Sequence, residues 1–183
     1  MHGIVSLLDD DHCKRVEDVW AGLEQRLGLR GIYVTPFPHM SYHVAEHYDV
    51  ELLEPILREF AANTAPFDAV ATGLGIFTTG LNPLLYINVT RSPRLSALNA
   101  ALWPSMVAVS AGMVEYYHPE RWVPHITLSH GDITRDDLGE AIRLLSQQDF
   151  TWQFPIDNIA LLYDEEETQQ DVLQYRFPLT GKP

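Results

Sequence analysis

Two short motifs in the sequence place a histidine two residues before a hydroxyl side chain. The segment "PHMSYH" contains His39 and Ser41, and "PHITLS", 86 residues later, contains His125 and Thr127. Residues i and i+2 of a β-strand share one face, so each motif, if extended, presents an imidazole beside a hydroxyl. An imidazole moves protons near neutral pH, and a hydroxyl donates a hydrogen bond to an anionic oxygen.

Two such pairs facing each other suit the hydrolysis of a phosphodiester without a metal. One neutral imidazole removes a proton from water, and the other, protonated, gives a proton to the leaving alkoxide. Each positioned proton transfer contributes roughly 10²–10⁴-fold to the rate. Ser41 and Thr127 would hold the two non-bridging phosphate oxygens. The scheme predicts a bell-shaped pH–rate profile whose limbs belong to the coupled pair.

A metal site is the alternative interpretation of the first motif. His39, His43 and His47 recur every four residues, the spacing that aligns ligands on one face of a helix. The hydroxyl, aromatic and β-branched residues between them do not favour a helix, and the second motif has no matching histidine set. We therefore predict no metal ligands and no cofactor.

The elements that must position these motifs can be read from the periodicity of apolar residues. Apolar stripes predict helices, and short runs rich in β-branched and aromatic residues predict strands. Pro104 is expected to kink or end the third helix. The patterns predict helices over 12–29, 49–63, 92–106 and 134–147, and strands over 2–10, 67–79, 84–90, 122–132, 150–166 and 169–179.

The two motifs belong to longer segments that agree with each other. The same shift of 86 residues lays "ELLEPI" on "DLGEAI", and with small gaps "LLYINV" meets "VLQYRF". Chance agreement between helix patterns is the alternative, but the matching His-x-Ser/Thr phase favours a repeat. We predict a single domain over 1–183 with an internal repeat of roughly 30–90 and 120–178, whose two lobes point His39 and His125 into one cleft.

The composition limits the classes of ligand and compartment. The 183 residues carry 25 acidic and 12 basic side chains, a net charge of −13, which argues against broad charge-driven binding to long nucleic acid. Cys13 is the only cysteine, so neither an internal disulfide nor a cysteine zinc site is possible. No apolar run approaches the roughly 20 residues of a membrane span, and the N-terminus does not read as a signal peptide. We expect a cytoplasmic monomer without membrane partners.

In its two His-x-Ser/Thr motifs, the sequence resembles the 2H phosphoesterase superfamily, which includes 2′-5′ RNA ligase-like proteins and RNA cyclic phosphodiesterases. The resemblance rests on "HMSY" and "HITL" and covers nearly the whole chain. It implies an α+β, bilobal fold with antiparallel sheets lining a central cleft and helices outside. It also implies catalytic places for His39 and His125, with His39 as proton donor, and phosphate-holding places for Ser41 and Thr127.

Five further residues are candidates for binding the substrate or supporting the site. His43 shares the strand parity of the first motif and could line the cleft, although a polar residue at the cleft mouth is the alternative. Arg121 could approach the phosphate or form a surface salt bridge. Phe77, Tyr163 and Trp122 could stack on a base or simply pack in the core.

The function expected from the resemblance is metal-independent opening of a 2′,3′-cyclic phosphate on a nucleotide or RNA end. The alternatives are a 2′-5′ RNA ligase or 2′-5′ oligonucleotide phosphodiesterase, and, in another class, a non-catalytic module that binds nucleotides or RNA ends. The expected partner is a small nucleotide or RNA-end phosphodiester rather than an extended nucleic acid.

Overall fold

A computed structural model describes residues 1–78, 81–165 and 170–182. The described residues form four helices and nine strands, together with 3₁₀ turns at Gly31–Val34 and Glu115–Tyr117. The helices are α1 (Asp10–Leu27), α2 (Val50–Asn63), α3 (Pro93–Ala108) and α4 (Leu138–Leu145). The strands are β1 (His2–Leu7), β2 (His39–Tyr48), β3 (Phe67–Phe77), β4 (Leu84–Val89), β5 (Ser110–Met113), β6 (His125–Thr127), β7 (Gln153–Ile156), β8 (Asn158–Glu165) and β9 (Gln170–Pro178).

The strands form a curled antiparallel sheet in the order β7-β3-β4-β6-β2-β1-β8-β9, and β5 pairs with the far end of β2. The large hydrophobic core lies between the helices and one face of this sheet, whereas the other face carries the smaller cluster of Val5, Leu7, Ala160 and Leu162. The predicted α+β class is confirmed. In the described part of the chain, no helix has the length and hydropathy needed to cross a membrane.

The start of helix α3 follows local capping signals, whereas its end depends on packing against the sheet. Ser92 accepts a hydrogen bond from the backbone of the first turn and Pro93 occupies the first helical position, as the sequence predicts. The helix does not end at Pro104, however, but continues to Ala108. Buried apolar residues of α3 lie on both sides of this proline, so burial against the sheet offsets the lost backbone hydrogen bond.

The sheet order corrects one part of the predicted repeat. Strand β4 lies beside the central strand β6, but β9, its predicted counterpart, lies at the outer edge beside β8. The place beside the other central strand, β2, belongs to β1. The spatially equivalent units are therefore β1-α1-β2 and β4-α3-β6, because the chain crosses to the other lobe after α2. The connection between the last two predicted strands, 150–166 and 169–179, lies outside the described residues.

Candidate active site

The two motifs lie on adjacent strands at the centre of the sheet. Met40 of β2 stands opposite Ile126 of β6, and both side chains are fully buried beneath the helices. In this antiparallel register, each motif histidine faces the hydroxyl residue of the other motif, and diagonal neighbours are roughly 7–8 Å apart. Because side chains alternate along a strand, all four motif residues share the open face. They line one cleft of about 640 Å³, namely His39, Ser41, His125 and Thr127.

Each catalytic candidate is oriented by its own backbone. His39 Nδ1 lies 2.6 Å from the carbonyl oxygen of Phe37, and His125 Nδ1 lies 2.7 Å from that of Val123. A carbonyl oxygen can only accept, so Nδ1 carries the proton in both rings. The Nε2 atoms are therefore the ones left to accept or donate a proton in the cleft. The proline between histidine and carbonyl fixes this geometry in both motifs.

The surroundings perturb the two imidazoles in similar but unequal ways. Burial lowers the pKa of His39 and of His125, because a charged ring loses hydration. The backbone carbonyls oppose this effect in both. The carboxylate of Asp171 also raises the pKa of His39, whereas the nearby His39 lowers the pKa of His125. Both rings therefore tend toward the neutral form, and the environment distinguishes one from the other.

Two tryptophans secure the backbone of the hydroxyl residues from behind the sheet. The indole nitrogen of Trp122 donates to the carbonyl oxygen of Ser41 at 2.9 Å, and that of Trp20 donates to the carbonyl oxygen of Thr127 at 3.1 Å. Trp122 is only 1 % exposed. The prediction that Trp122 could stack on a base is therefore wrong, and its place is in the core supporting the first motif.

A β-bulge redirects the residues after Ser41. In the ladder with β1, Val5 stands opposite Ser41 but Ile4 stands opposite His43, so Tyr42 is an extra residue on β2. The alternation of side chains shifts by one, and His43 points into the core while Val44 lines the cleft. The prediction that His43 could line the cleft is wrong, because a strict two-residue period does not survive the bulge.

The histidines of the metal alternative do not converge. His39 faces the cleft, His43 is buried on the helix side and His47 is exposed farther along β2. Nowhere in residues 1–78, 81–165 and 170–182 are three or more histidine, cysteine or carboxylate side chains grouped so that they could hold a metal ion. The helix required by a four-residue ligand spacing is absent from this segment, which is a strand.

Aromatic rings surround His125. The rings of Phe77 and Tyr86 are stacked with centroids 4.2 Å apart, and each meets His125 edge-on, at 5.1 and 5.3 Å. From here the cleft continues into a mostly apolar cavity of about 530 Å³, with Arg121 and the exposed Leu81 in its wall. The structure thus brings Phe77 and Arg121 to the cleft, at its apolar end. We call this cavity the apolar shelf.

The opposite end of the cleft, next to His39, is acidic. Asp164 of β8 and Asp171 of β9 stand opposite each other in the sheet, and both line the cleft. Tyr163 does not join them, because its ring is stacked on His2 with centroids 3.9 Å apart and it is not among the residues that line the cleft. The structure therefore does not bring Tyr163 to the site in the way that it brings Phe77.

Tyr117 and Asp171 are site residues that the sequence reasoning missed. Tyr117 lines both parts of the cleft, and its hydroxyl interacts with the side chain of Ser41, which partly opposes the increase in its pKa caused by burial. It belongs to the 3₁₀ turn Glu115–Tyr117 between β5 and β6, which is too short for a periodic pattern to indicate the direction of a side chain. Asp171 lies far along the chain, in a strand that only the sheet order brings near His39.

Comparisons with known proteins agree with this geometry. Residues 8–168 match the 2′-5′ RNA ligase superfamily. A Bacillus cereus (strain B4264) protein named as a phosphoesterase is 28% identical over 156 residues, 84% of each chain, and a Bacillus thuringiensis (strain Al Hakam) protein so named is 27% identical over the same share.

Solved structures share the fold at low sequence identity. The protein TT0787 of Thermus thermophilus matches with a TM-score of 0.66 and 16% identity over 100% of this chain and 99% of that one. LigT of E. coli, solved with NADP+, matches with a TM-score of 0.59 and 15% identity over 98% and 96% of the two chains. The predicted bilobal fold is confirmed. The chain belongs to the 2′-5′ RNA ligase superfamily and is an enzyme of the 2H phosphoesterase type.

Proposed function

We propose that the protein hydrolyses a 2′,3′-cyclic phosphate of a nucleotide or RNA end by general acid–base catalysis between two histidines. The observation that carries this proposal is the pairing of β2 with β6, which sets two imidazole–hydroxyl pairs against each other on one face of the sheet. Water attacks phosphorus as the Nε2 of one histidine removes its proton. The P–O bond to one ribose oxygen breaks, and the Nε2 of the other histidine protonates that oxygen, leaving a phosphate monoester.

The residues that line the cleft favour a small substrate with one nucleoside. Ser41 and Thr127 line the cleft and would donate hydrogen bonds to the non-bridging oxygens, and Phe77, which lines the apolar shelf, would offer its ring to a base. In the described part of the chain, no lysine or arginine side chain lines the part of the cleft that holds the four motif residues. This favours a singly charged cyclic phosphate over a long oligonucleotide. LigT, a structural neighbour, was solved with NADP+ and with ATP, which is consistent with a nucleotide ligand.

The test is a hydrolysis assay on 2′,3′-cyclic mononucleotides and on 2′-5′ linked oligonucleotides, with and without EDTA. We expect turnover of the cyclic phosphates that EDTA does not change, and losses of roughly 10²–10⁴-fold in kcat for His39→Ala and for His125→Ala. The double variant should lose much less than the product of the two losses, because the histidines act as a unit. His47→Ala, on the exposed end of β2, is the matched control and should keep the normal rate.

Normal rates in both catalytic variants would refute the mechanism. A marked preference for 2′-5′ linked oligonucleotides would favour the ligase or 2′-5′ phosphodiesterase alternative. Nucleotide binding without turnover would favour the non-catalytic module. Loss of activity with the chelator would favour a metal-dependent reaction.

A further inference from the structure

The two motifs are close copies, so their own geometry does not determine which histidine gives a proton and which removes one. Each Nδ1 donates to the carbonyl two residues earlier, at 2.6 and 2.7 Å, and each ring has a hydroxyl residue two positions later. A symmetric pair of this kind could work in either direction. Any preference must come from the residues that surround the pair.

Those surroundings differ at the two ends. His125 is bordered by the rings of Phe77 and Tyr86, and among the described residues no carboxylate lines the apolar shelf beside it. His39 lies at the end that carries the carboxylates of Asp164 and Asp171, on the two strands beyond β1. The pseudo-twofold symmetry of the motifs is therefore broken by charge.

Of the two carboxylates, Asp171 is the one that acts on His39. Its side chain accepts a hydrogen bond from the hydroxyl of Thr35, which holds it in place. The carboxylate lines the same cleft as His39 and raises the pKa of that ring, whereas the charge of Asp164 is already paired with the amino group of Met1. The remaining titratable groups that line this end are His2, His130 and Tyr117.

We propose that Asp171 is the residue that holds the proton of the resting pair on His39, and that it is thereby the physical cause of the order of roles implied by the family resemblance, with His39 as general acid and His125 as general base. This inference rests on the proposed two-histidine reaction. Asp171 is a positioning residue, because it acts through His39 and need not touch the substrate. In the forward reaction, the Nε2 of His125 takes the proton of the attacking water, and the Nε2 proton of His39 passes to the leaving ribose oxygen.

The direct test is an NMR titration of the histidine Cε1 protons in the wild type and in two variants. Asp171→Asn keeps an oxygen that can accept from Thr35 but removes the charge, and it should lower the pKa of His39 by about half a unit to one unit. Asp164→Asn removes the same charge from the same cleft and is the matched control, expected to leave that pKa unchanged. Asp171→Glu should restore most of the shift if Asp171→Asn acts through charge rather than through folding.

Kinetics supply a second, independent readout. In Asp171→Asn the alkaline limb of the kcat/KM profile should move to lower pH, while the acidic limb stays in place. With a p-nitrophenyl phosphodiester, whose leaving group needs no proton, His39→Ala should lose at least tenfold less activity than it loses on a cyclic phosphate. His125→Ala should lose equally on both substrates, because water still has to be deprotonated.

Equal shifts in Asp171→Asn and Asp164→Asn, or none in either, would overturn the assignment to Asp171. If the p-nitrophenyl phosphodiester restored activity to His125→Ala instead of His39→Ala, the acid and base roles would be reversed and the assignment would also be overturned. If no cyclic phosphate is turned over, the proposed function fails, whereas the NMR titration still decides whether Asp171 holds the proton on His39.

Discussion

The stability of the protein should depend on pH through His43, a buried histidine outside the catalytic pair. Its side chain is 1 % exposed, its Nδ1 lies 2.5 Å from the hydroxyl of Tyr48, and its ring meets Trp103 edge-on at 4.7 Å. Its Nε2 has no hydrogen-bond partner. Burial therefore lowers the pKa of His43 from 6.5 to about 4, since protonation would place an unpaired charge in the core.

The direction of the effect follows from proton linkage. Between pH 6.5 and 4 the unfolded chain binds a proton at this residue that the folded chain does not, so the free energy of unfolding falls as the pH falls through this window. A shift from 6.5 to about 4 corresponds to a loss of about 1.3 kcal/mol at pH 5.5 and about 2.5 kcal/mol at pH 4.5, relative to pH 7.5.

The measurement is urea unfolding at several pH values between 7.5 and 4.5 for the wild type and for His43→Phe. The phenylalanine keeps an aromatic ring against Trp103 and removes the titration, while the lost contact with Tyr48 costs about 1 kcal/mol at every pH. Other histidines titrate in both proteins, so the difference between the two curves isolates His43. His47→Gln, an exposed change on the same strand, should keep the wild-type pH dependence. Parallel curves for wild type and His43→Phe would refute the argument from burial.

Two further substitutions test the walls of the cleft. A Cβ at Gly75 would overlap the ring of Tyr86, which lies next to the second motif. Gly75→Ala should therefore lower the free energy of unfolding by about 1–3 kcal/mol and also reduce kcat/KM, as thermal unfolding and rate measurements would show. Gly139→Ala in α4, where a Cβ meets nothing, is the control and should change neither the stability nor the rate. Tyr117→Phe should reduce kcat/KM by about fivefold, because its hydroxyl no longer interacts with the side chain of Ser41. Tyr175→Phe, at a tyrosine that lines neither part of the cleft, should keep the normal rate, and equal rates in both variants would contradict the role of Tyr117.

The sequence by itself determined the chemistry at the centre of the molecule. A histidine and a hydroxyl two residues apart can only share a face in an extended strand, and the second copy of the pattern gave the first a partner. Ser92 and Pro93 marked a helix start correctly because capping is a local property of the backbone. These features depend on neighbouring residues alone, and for that reason they could be predicted.

Tertiary structure decided everything that depends on residues distant in the chain. The bulge at Tyr42 turned His43 away from the cleft. In the ladder with β1, Tyr42 is an extra residue on β2, so the alternation of side chains shifts by one after it. Burial behind β2 made Trp122 a support for Ser41 instead of a stacking surface. Strands β1 and β8 lie between β2 and β9, and Asp171 reaches the end of the cleft that holds His39 only because the sheet curls around the cleft. Local pattern fixes which residues can do chemistry, whereas the order and curl of the strands fix which charges surround them.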